Sequence, residues 1–266
     1  MPIISHKALI PAEDQLEIWR YLDLDKFESL LNTSSLFFCR TDKFSDPFEG
    51  SVPKKEFHHR AIEQKKISRI NFKKILSDED ADESSKSIGE FHKRLKRCFV
   101  VNCWHINDGE SDAMWRLYLK TNEGVAIKTT VSKLKESFLE LDEDVFISRV
   151  RYLDFENDIW YHKYDYPITG YNMFSPMVHK RKAFIHENEL RIFQKLQEPE
   201  NDIDYWEKAS NNIGKFIQCN IHNLIEKVIL PPTADEKVER FVNNLMDKYS
   251  LKCPLDKSKL VDQPYY

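Results

Sequence analysis

The sequence predicts an α+β fold, a single domain with a mixed or split β-sheet, surrounding helices and a helical insertion. Short apolar segments typical of strands are mostly separated by short segments with apolar residues at helical spacing. The 266 residues include only six glycines, which lie far apart. Dinucleotide-binding turns and phosphate-binding loops need clustered glycines, so a doubly wound nucleotide-binding fold is disfavoured. No linker divides the chain, and we expect one domain over residues 1–266.

Eight segments have the apolar pattern of β-strands. In chain order they are 17–22, 36–40, 98–104, 125–130, 145–155, 190–194, 216–221 and 228–230. Pro231 and Pro232 end the last strand, because proline has no backbone N–H to pair with a neighbouring strand.

Helices are predicted where apolar residues recur every three or four positions. The predicted helices are 25–31, 112–120, a helix marked by Leu134, Phe138 and Leu141, 176–185 and a C-terminal helix. Ser111 stands where it caps the second helix. The C-terminal helix has the clearest pattern, with Val238, Val242 and Leu245 on one face.

Residues 54–97 form a basic helical insertion, with thirteen Lys and Arg against eight Asp and Glu. An acidic, serine-containing break at 77–87 separates two predicted helical stretches. One interpretation is a solvated surface segment, and the other is an arm that contacts an acidic partner such as nucleic acid.

Composition also bounds the compartment. No apolar stretch approaches the roughly 18 residues of a membrane span, and residues 1–20 lack the pattern of a secretory signal. The five cysteines are scattered and include no CxxC pair. We therefore expect a cytoplasmic protein with reduced thiols and no membrane partner.

Trp19, Arg20 and Tyr21 are the first candidate site, at the end of the first strand. A cation flanked by aromatic rings binds a phosphate or stacks on a planar ring. The alternative is an outward arginine between two packed aromatic residues.

The loop after the second strand is the next candidate. Arg40 precedes Asp46, Phe48 and Glu49, a set that lines a pocket if the carboxylates turn inward. Asp, Pro and Gly are also ordinary turn residues, so a structural loop explains the segment equally well.

Trp115 and Tyr118 lie three residues apart on a predicted helix and therefore share a face, which packs in the core or lines a pocket. Cys103 and His105, two apart on a strand, suggest a thiol nucleophile or a metal pair. No second ligand pair has matching spacing, so no metal site is expected.

Glu187, Glu189 and Arg191 form the most informative motif. On a strand, residues two apart share a face, so the two carboxylates would lie close together. Their repulsion raises the pKa of one of them, which suits acid–base chemistry, and Arg191 offsets that repulsion. A surface ladder of charged residues is the alternative.

Four motifs in order resemble a family of bacterial proteins catalogued as a domain of unknown function. They are Trp19-Arg20-Tyr21, Asp46-Pro47-Phe48-Glu49, Met114-Trp115-Arg116-Leu117-Tyr118 and Glu187-Asn188-Glu189-Leu190-Arg191. More distantly, this order is similar to ADP-ribosyltransferase-like proteins, which consume NAD and include toxin and phage-defence effectors.

That distant resemblance implies roles for particular residues. Arg20 or Arg40 would hold the nicotinamide ribose or the phosphates of NAD, and Trp115 or Tyr118 would stack on the nicotinamide. Glu189, with Glu187, would bind the ribose and stabilise the oxocarbenium-like transition state. The acceptor would be water, a protein or a nucleic acid.

Two other functions fit the same residues. In a magnesium-dependent nuclease or nucleic-acid-processing protein, Asp46, Glu49, Glu187 and Glu189 would be metal ligands and the insertion would contact the nucleic-acid backbone. In a non-catalytic interaction protein, the motifs would serve only the fold.

Overall fold

The computed structural model of the chain describes residues 3–4, 6, 8–71, 73–119, 123–159, 173–196 and 212–264. The strands are β1 (Ile3–Ile4), β2 (Glu17–Asp23), β3 (Ser35–Arg40), β4 (Phe99–Ile106), β5 (Gly124–Thr130), β6 (Val145–Arg149), β7 (Arg151–Leu153), β8 (His179–Arg181), β9 (Glu189–Lys195), β10 (Gly214–Gln218), β11 (Lys227–Leu230) and β12 (Leu255–Lys257). The helices are α1 (Leu24–Thr33), α2 (Lys54–Asn71), α3 (Asp78–Cys98), α4 (Asp112–Tyr118), α5 (Val131–Glu136), α6 (Ser175–Val178), α7 (Ile221–Leu224) and α8 (Glu236–Lys248). Short 3₁₀ segments occupy Thr41–Lys43, Lys182–Glu187 and Lys259–Val261.

The main sheet is mixed and is split at β4, so the predicted fold class is confirmed. One edge of β4 pairs with β9 from Phe99 to His105. The other edge pairs with β3 at Val100 and Val101 but with β2 only at His105 and Ile106. Strand β2 continues the sheet to β5, β11 and β12, whereas β3 continues it to β10. Between its two partners, this edge of β4 pairs with no strand of the described chain.

The two faces of the sheet carry different cores. On one face, apolar side chains of α1, α5, α7 and α8 pack against the sheet in one continuous cluster. On the other face there are two separate clusters. One surrounds Phe99 and Phe193, and the other surrounds Trp19 and Tyr21 under α4. The gap between these two clusters holds a cavity that is lined by residues of both.

The local sequence explains several helix boundaries. Ser111 caps α4 as predicted, since its Oγ accepts a hydrogen bond from the Met114 N–H. Asp235 caps α8 in the same way, and Val238, Val242 and Leu245 are buried on one face of that helix. Burial of this apolar face, more than intrinsic propensity, stabilises such a helix in the fold.

The insertion is a pair of helices that pack against each other, α2 and α3. The expected break at 77–87 is wrong, because α3 begins at Asp78. The Ser77 hydroxyl accepts a hydrogen bond from the Asp80 N–H, and acidic residues in the first turn favour a helix start. Leu95 and Cys98, at the end of α3, are buried against the sheet.

The expected helix at 176–185 is also wrong. Its residues form α6, then β8, then a 3₁₀ segment. Strand β8 exists because it pairs in parallel with β7, at Arg151 with His179, and no local pattern reveals that contact. The expected strand 145–155 is interrupted at Val150, whose N–H donates to the Glu189 carbonyl at 2.8 Å.

Over the described part of the chain, no helix is both long enough and apolar enough to cross a membrane.

Candidate functional site

The cavity between the two clusters has a volume of about 460 Å³. Its walls are residues of β2, β3, β4 and α4, the loop 44–49, and the segment from Lys180 to Glu189. Of the residues predicted as site residues, the cavity walls include Arg20, Tyr21, Asp46, Glu49, Tyr118, Glu187 and Glu189. The walls thus combine aromatic rings, one arginine and several carboxylates.

Lys180 lies between the two carboxylates of the Glu-x-Glu motif. Its Nζ is 2.6 Å from Glu187 Oε2 and 2.5 Å from Glu189 Oε1. The carboxylate of Glu49 is 4.0 Å from the same Nζ. All four side chains are buried, so these charges interact in a medium that screens them poorly.

Arg191 contacts two of these carboxylates, those of Glu49 and Glu189, on the side away from the cavity. Its Nε donates to Glu189 Oε2 at 2.6 Å, and its Nη1 donates to Glu49 Oε1 at 2.5 Å and to the Met177 carbonyl at 2.9 Å. The side chain is completely buried. Arg191 therefore does not line the cavity, and it holds Glu49 and Glu189 in place from behind the wall.

The surroundings give the two motif carboxylates different pKa values. Burial, together with the neighbouring Glu189, raises the pKa of Glu187 to about 7. Burial also opposes ionisation of Glu189, but Arg191 and Lys180 outweigh it and hold the pKa of Glu189 below its usual range. At neutral pH, Glu189 is ionised and Glu187 is poised to gain or lose a proton.

The expected strand geometry of Glu-x-Glu is wrong in detail. Glu187 ends a 3₁₀ segment and only Glu189 lies on a strand. Between them Asn188 has left-handed backbone dihedrals, with φ 36°. The strand periodicity does not extend to Glu187. The two carboxylates lie close together because of this turn and because both contact Lys180.

Arg20 fills the split in the sheet. Its Nη1 donates to Asn102 Oδ1 at 3.0 Å and to the Cys103 carbonyl at 2.5 Å, on the part of the β4 edge that pairs with no described strand. Asn102 in turn donates to the Phe37 carbonyl of β3 at 2.9 Å. None of the described carboxylates pairs with Arg20, so its Nε and Nη2 remain available to an anionic group of a ligand.

The predicted aromatic residues differ in position. Tyr21 is buried, and its hydroxyl accepts a hydrogen bond from the Ser111 N–H at 3.0 Å. Trp115 packs edge-on against Tyr21, with ring centroids 4.8 Å apart, and does not line the cavity. Tyr118 lines the cavity and is 43% exposed, so it stands at the mouth. Of the two stacking candidates, only Tyr118 is reachable by a ligand.

The predicted loop residues are also divided. Arg40 is buried behind the cavity, where its Nε and Nη2 bond both carboxylate oxygens of Asp42 at 2.8 and 2.7 Å. Asp46 lines the cavity and is paired with Arg181, at 2.7 Å from Nη2. Phe48 lies outside, half-exposed, beneath the Arg181 guanidinium.

The cysteine and metal alternatives have little support. Burial raises the pKa of the Cys103 thiol, which disfavours the thiolate that a nucleophile needs. The residues that the structure describes include no group of three His, Cys, Asp or Glu arranged to hold a metal ion. The carboxylates proposed as magnesium ligands are instead held by Lys180, Arg181 and Arg191.

Sequence reasoning missed Lys180 and Asn102 as site residues. A signal for Lys180 was present, since a run of three basic residues shortly precedes the two glutamates. Asn102 gave no signal, because its role depends on the split between β2 and β3, which lie far from it in sequence.

One comparison with known proteins gives a match over part of the chain. The model of a family described as "Protein of unknown function (DUF2971)" matches residues 114–192, from α4 to β9. This segment includes the Met-Trp-x-x-Tyr and Glu-x-Glu-x-Arg motifs, whereas the Asp-Pro-Phe-Glu loop precedes it. No match was found among curated proteins or among solved structures. Over residues 114–192, the chain is therefore similar to a domain family of unknown function.

Proposed function

We propose that this cavity binds NAD and cleaves the bond between its nicotinamide and ribose, as an ADP-ribosyltransferase or NAD glycohydrolase. One observation carries the proposal. Glu187 and Glu189, with unlike protonation, share a cavity with an arginine that no carboxylate of the described chain neutralises and with an accessible tyrosine. Pairs of carboxyl groups with separated pKa values are typical of acid–base sites.

Two side chains of the cavity wall, Arg20 and Tyr118, suit two different parts of NAD. Nε and Nη2 of Arg20, which bond none of the described residues, can donate together to a phosphate, a geometry that guanidinium groups favour. The Tyr118 ring at the mouth offers an aromatic face to the planar nicotinamide. Such a site binds phosphate through side chains and therefore needs no glycine-rich loop.

In the proposed reaction, the bond between ribose C1′ and the nicotinamide nitrogen breaks, and its electron pair leaves with nicotinamide. A water or acceptor hydroxyl forms the new C1′–O bond and loses a proton, which Glu187 accepts and later releases to solvent. Ionised Glu189 stabilises the positive charge that develops on the ribose. Lys180 and Arg191 keep Glu189 ionised in the absence of substrate.

The magnesium-dependent alternative is less well supported. A metal ion would have to displace Lys180 or Arg181 from the carboxylates, since each of those carboxylates already has a buried or half-buried cation as partner. The acceptor of the proposed transfer is water, a protein or a nucleic acid. An acidic acceptor would meet exposed basic side chains of α2, such as Lys55, Lys66 and Arg69.

The test is incubation of the purified protein with labelled NAD, alone and with cell extract. Nicotinamide release and label transfer are both measured. We expect Glu189→Gln to reduce the rate by at least about 100-fold, because it removes the charge that stabilises the transition state. Arg20→Lys should mainly raise KM, because lysine cannot form the two-pronged contact with phosphate.

The matched control is Glu236→Gln, the same change at a carboxylate that is 91% exposed on α8 and outside the cavity. Its rate should equal that of the wild type. Equal rates for the wild type and Glu189→Gln, or no nicotinamide release from the wild type under either condition, would overturn the proposal.

A further inference from the structure

The turn that carries the two carboxylates is held by hydrogen bonds from three other parts of the chain. The Glu187 carbonyl accepts from His105 Nδ1 at 2.7 Å. The Glu189 N–H donates to the Tyr152 hydroxyl at 2.9 Å, and the Glu189 carbonyl accepts from the Val150 N–H at 2.8 Å. The turn is thus fixed to β4 on one side and to β7 and the residue before it on the other.

Asn188, between the two glutamates, forms three hydrogen bonds. Its carbonyl accepts from the Ile106 N–H at 2.8 Å, and its side-chain Nδ2 donates to the Ile106 carbonyl at 2.7 Å. Its own N–H donates to the Ile185 carbonyl at 3.2 Å. The reciprocal pair with Ile106 joins the turn to the end of β4, where the sheet splits.

The backbone of Asn188 has a conformation that few residues adopt easily. Its φ of 36° lies in the left-handed region, which asparagine tolerates better than most non-glycine residues. The residue is exposed and does not line the cavity, so it has no contact with a ligand there.

We propose that Asn188 is a positioning residue, which sets the orientation of Glu187 and Glu189 against Lys180 through its left-handed backbone and its amide bond to Ile106. The inference rests on the proposed function for its effect on catalysis. The turn itself can be measured without any reaction. His105 and Tyr152 share the role, since each bonds one flank of the same turn.

The backbone of Asn188 affects the distances from Lys180 to the two carboxylates. Lys180 Nζ is within 2.6 Å of both carboxylates, so both contacts depend on the relative rotation of residues 187 and 189. A backbone change at the residue between them rotates one carboxylate away from the other. Displacements near 1 Å in such groups lower rates by about 100-fold.

The experiment compares Asn188→Ala, Asn188→Gly and the control Asn220→Ala. Alanine removes the amide and disfavours the left-handed backbone, whereas glycine removes only the amide. Asn220 caps α7 through two hydrogen bonds and lies away from the cavity, so its loss imposes a comparable local change elsewhere. We expect kcat to fall about 10- to 100-fold for Asn188→Ala, less for Asn188→Gly and not for Asn220→Ala, with KM nearly constant.

A second readout is the titration of Glu187, followed by carbon NMR of the labelled carboxyl group. In Asn188→Ala its pKa should move from its raised value toward that of an ordinary glutamate, because the carboxyl leaves Glu189 and the buried wall. An unchanged titration together with an unchanged kcat would overturn the inference. If the wild type does not cleave NAD, the proposed function fails and the titration alone decides the role of Asn188. If Asn188→Ala does not fold, Asn188→Gly is measured in the same way.

Discussion

Glu187 and Glu189 are neighbours of the same chemical type, yet their contacts differ in a way that separates their roles. Glu189 is bonded by both Lys180 and Arg191, whereas Glu187 shares only Lys180. The second cation is what keeps Glu189 ionised while Glu187 retains a raised pKa. Three buried carboxylates, including Glu49, share two cations, so one proton is held weakly enough to move.

The raised pKa of Glu187 predicts a pH-dependent stability. The folded protein binds this proton up to about pH 7, whereas a glutamate in the unfolded chain releases it near its ordinary pKa of 4.5. Its contribution is therefore complete below that unfolded value and is lost as the pH rises through about 7. Glu187→Gln stays neutral and keeps an oxygen for Lys180, so it should gain stability relative to the wild type between pH 5 and 8, by on the order of 1–3 kcal/mol.

Urea unfolding of both proteins at several pH values measures this difference. Glu236→Gln, at an exposed carboxylate, should show no such trend. A constant difference between Glu187→Gln and the wild type from pH 5 to 8 would contradict the raised pKa.

At the level of secondary structure, the sequence predicts the strands and helices that are encoded by a local pattern of apolar residues. Strands β2 and β3 lie nearly at their predicted limits, and the predicted C-terminal helix is observed as α8, because strand alternation and helical spacing are local properties. The elements that the sequence predicts incorrectly depend on partners that are distant in the chain. Strand β8 needs β7, and Val150 leaves its strand to bond Glu189.

The site follows the same division. The residue types at Arg20, Tyr118, Glu187 and Glu189 pointed to one cavity, and all four line it. Arg40 and Trp115 look equally suitable in sequence, but Asp42 binds the arginine and Tyr21 covers the tryptophan. Whether a side chain faces a cavity or lies behind its wall depends on tertiary packing, and no spacing in the sequence encodes it.

The loop 44–49 is held in the cavity wall by ion pairs at two of its residues, Glu49 with Arg191 and Asp46 with Arg181. Both carboxylate oxygens of Asp46 accept from Arg181, and Asp46 Oδ1 also accepts from the Phe48 N–H at 3.0 Å. Asp46→Asn removes the charge but keeps the shape. We expect a loss of about 1–2 kcal/mol in the free energy of unfolding, because the aspartate is buried and the arginine half-buried.

The loosened loop should also weaken ligand binding, since it brings Phe44 and Glu49 to the cavity. Asp14→Asn is the matched control, because it breaks an ion pair with Lys135 in which Asp14 is 67% exposed. Exposed pairs contribute little, and we expect a change below about 0.5 kcal/mol there. Equal losses in the two variants, measured by urea unfolding, would show that the Asp46 pair does not fix the loop.

In the whole molecule, the cavity depends on the sheet being covered unevenly. On one face, four helices cover a continuous apolar core, and burial of this core stabilises the fold. The other face is covered by two clusters with a gap between them, and the split at β4 opens into that gap. The segment 114–192 that matches the family supplies α4 and both glutamates, whereas β2 and the loop 44–49 complete the cavity from outside it.

The helical insertion packs against the sheet only at one end, and this predicts a gradient of local stability along α2 and α3. Leu95 and Cys98, at the end of α3, are buried with Phe99 and Phe193 of the sheet. Further out, Ile62, Ile70 and Phe91 are more than half exposed, so fewer apolar contacts hold that part of α2 and α3. Amide hydrogens of 61–71 and 78–88 should exchange through local opening, at free energies at least about 2 kcal/mol below those of β4 and β9. Hydrogen exchange is followed by mass spectrometry, with and without a low concentration of urea. This distinguishes amides that exchange by local opening from amides that exchange by global unfolding, since only global unfolding depends strongly on urea. Uniform protection and uniform urea dependence from α2 through β9 would instead mean that the insertion unfolds together with the sheet.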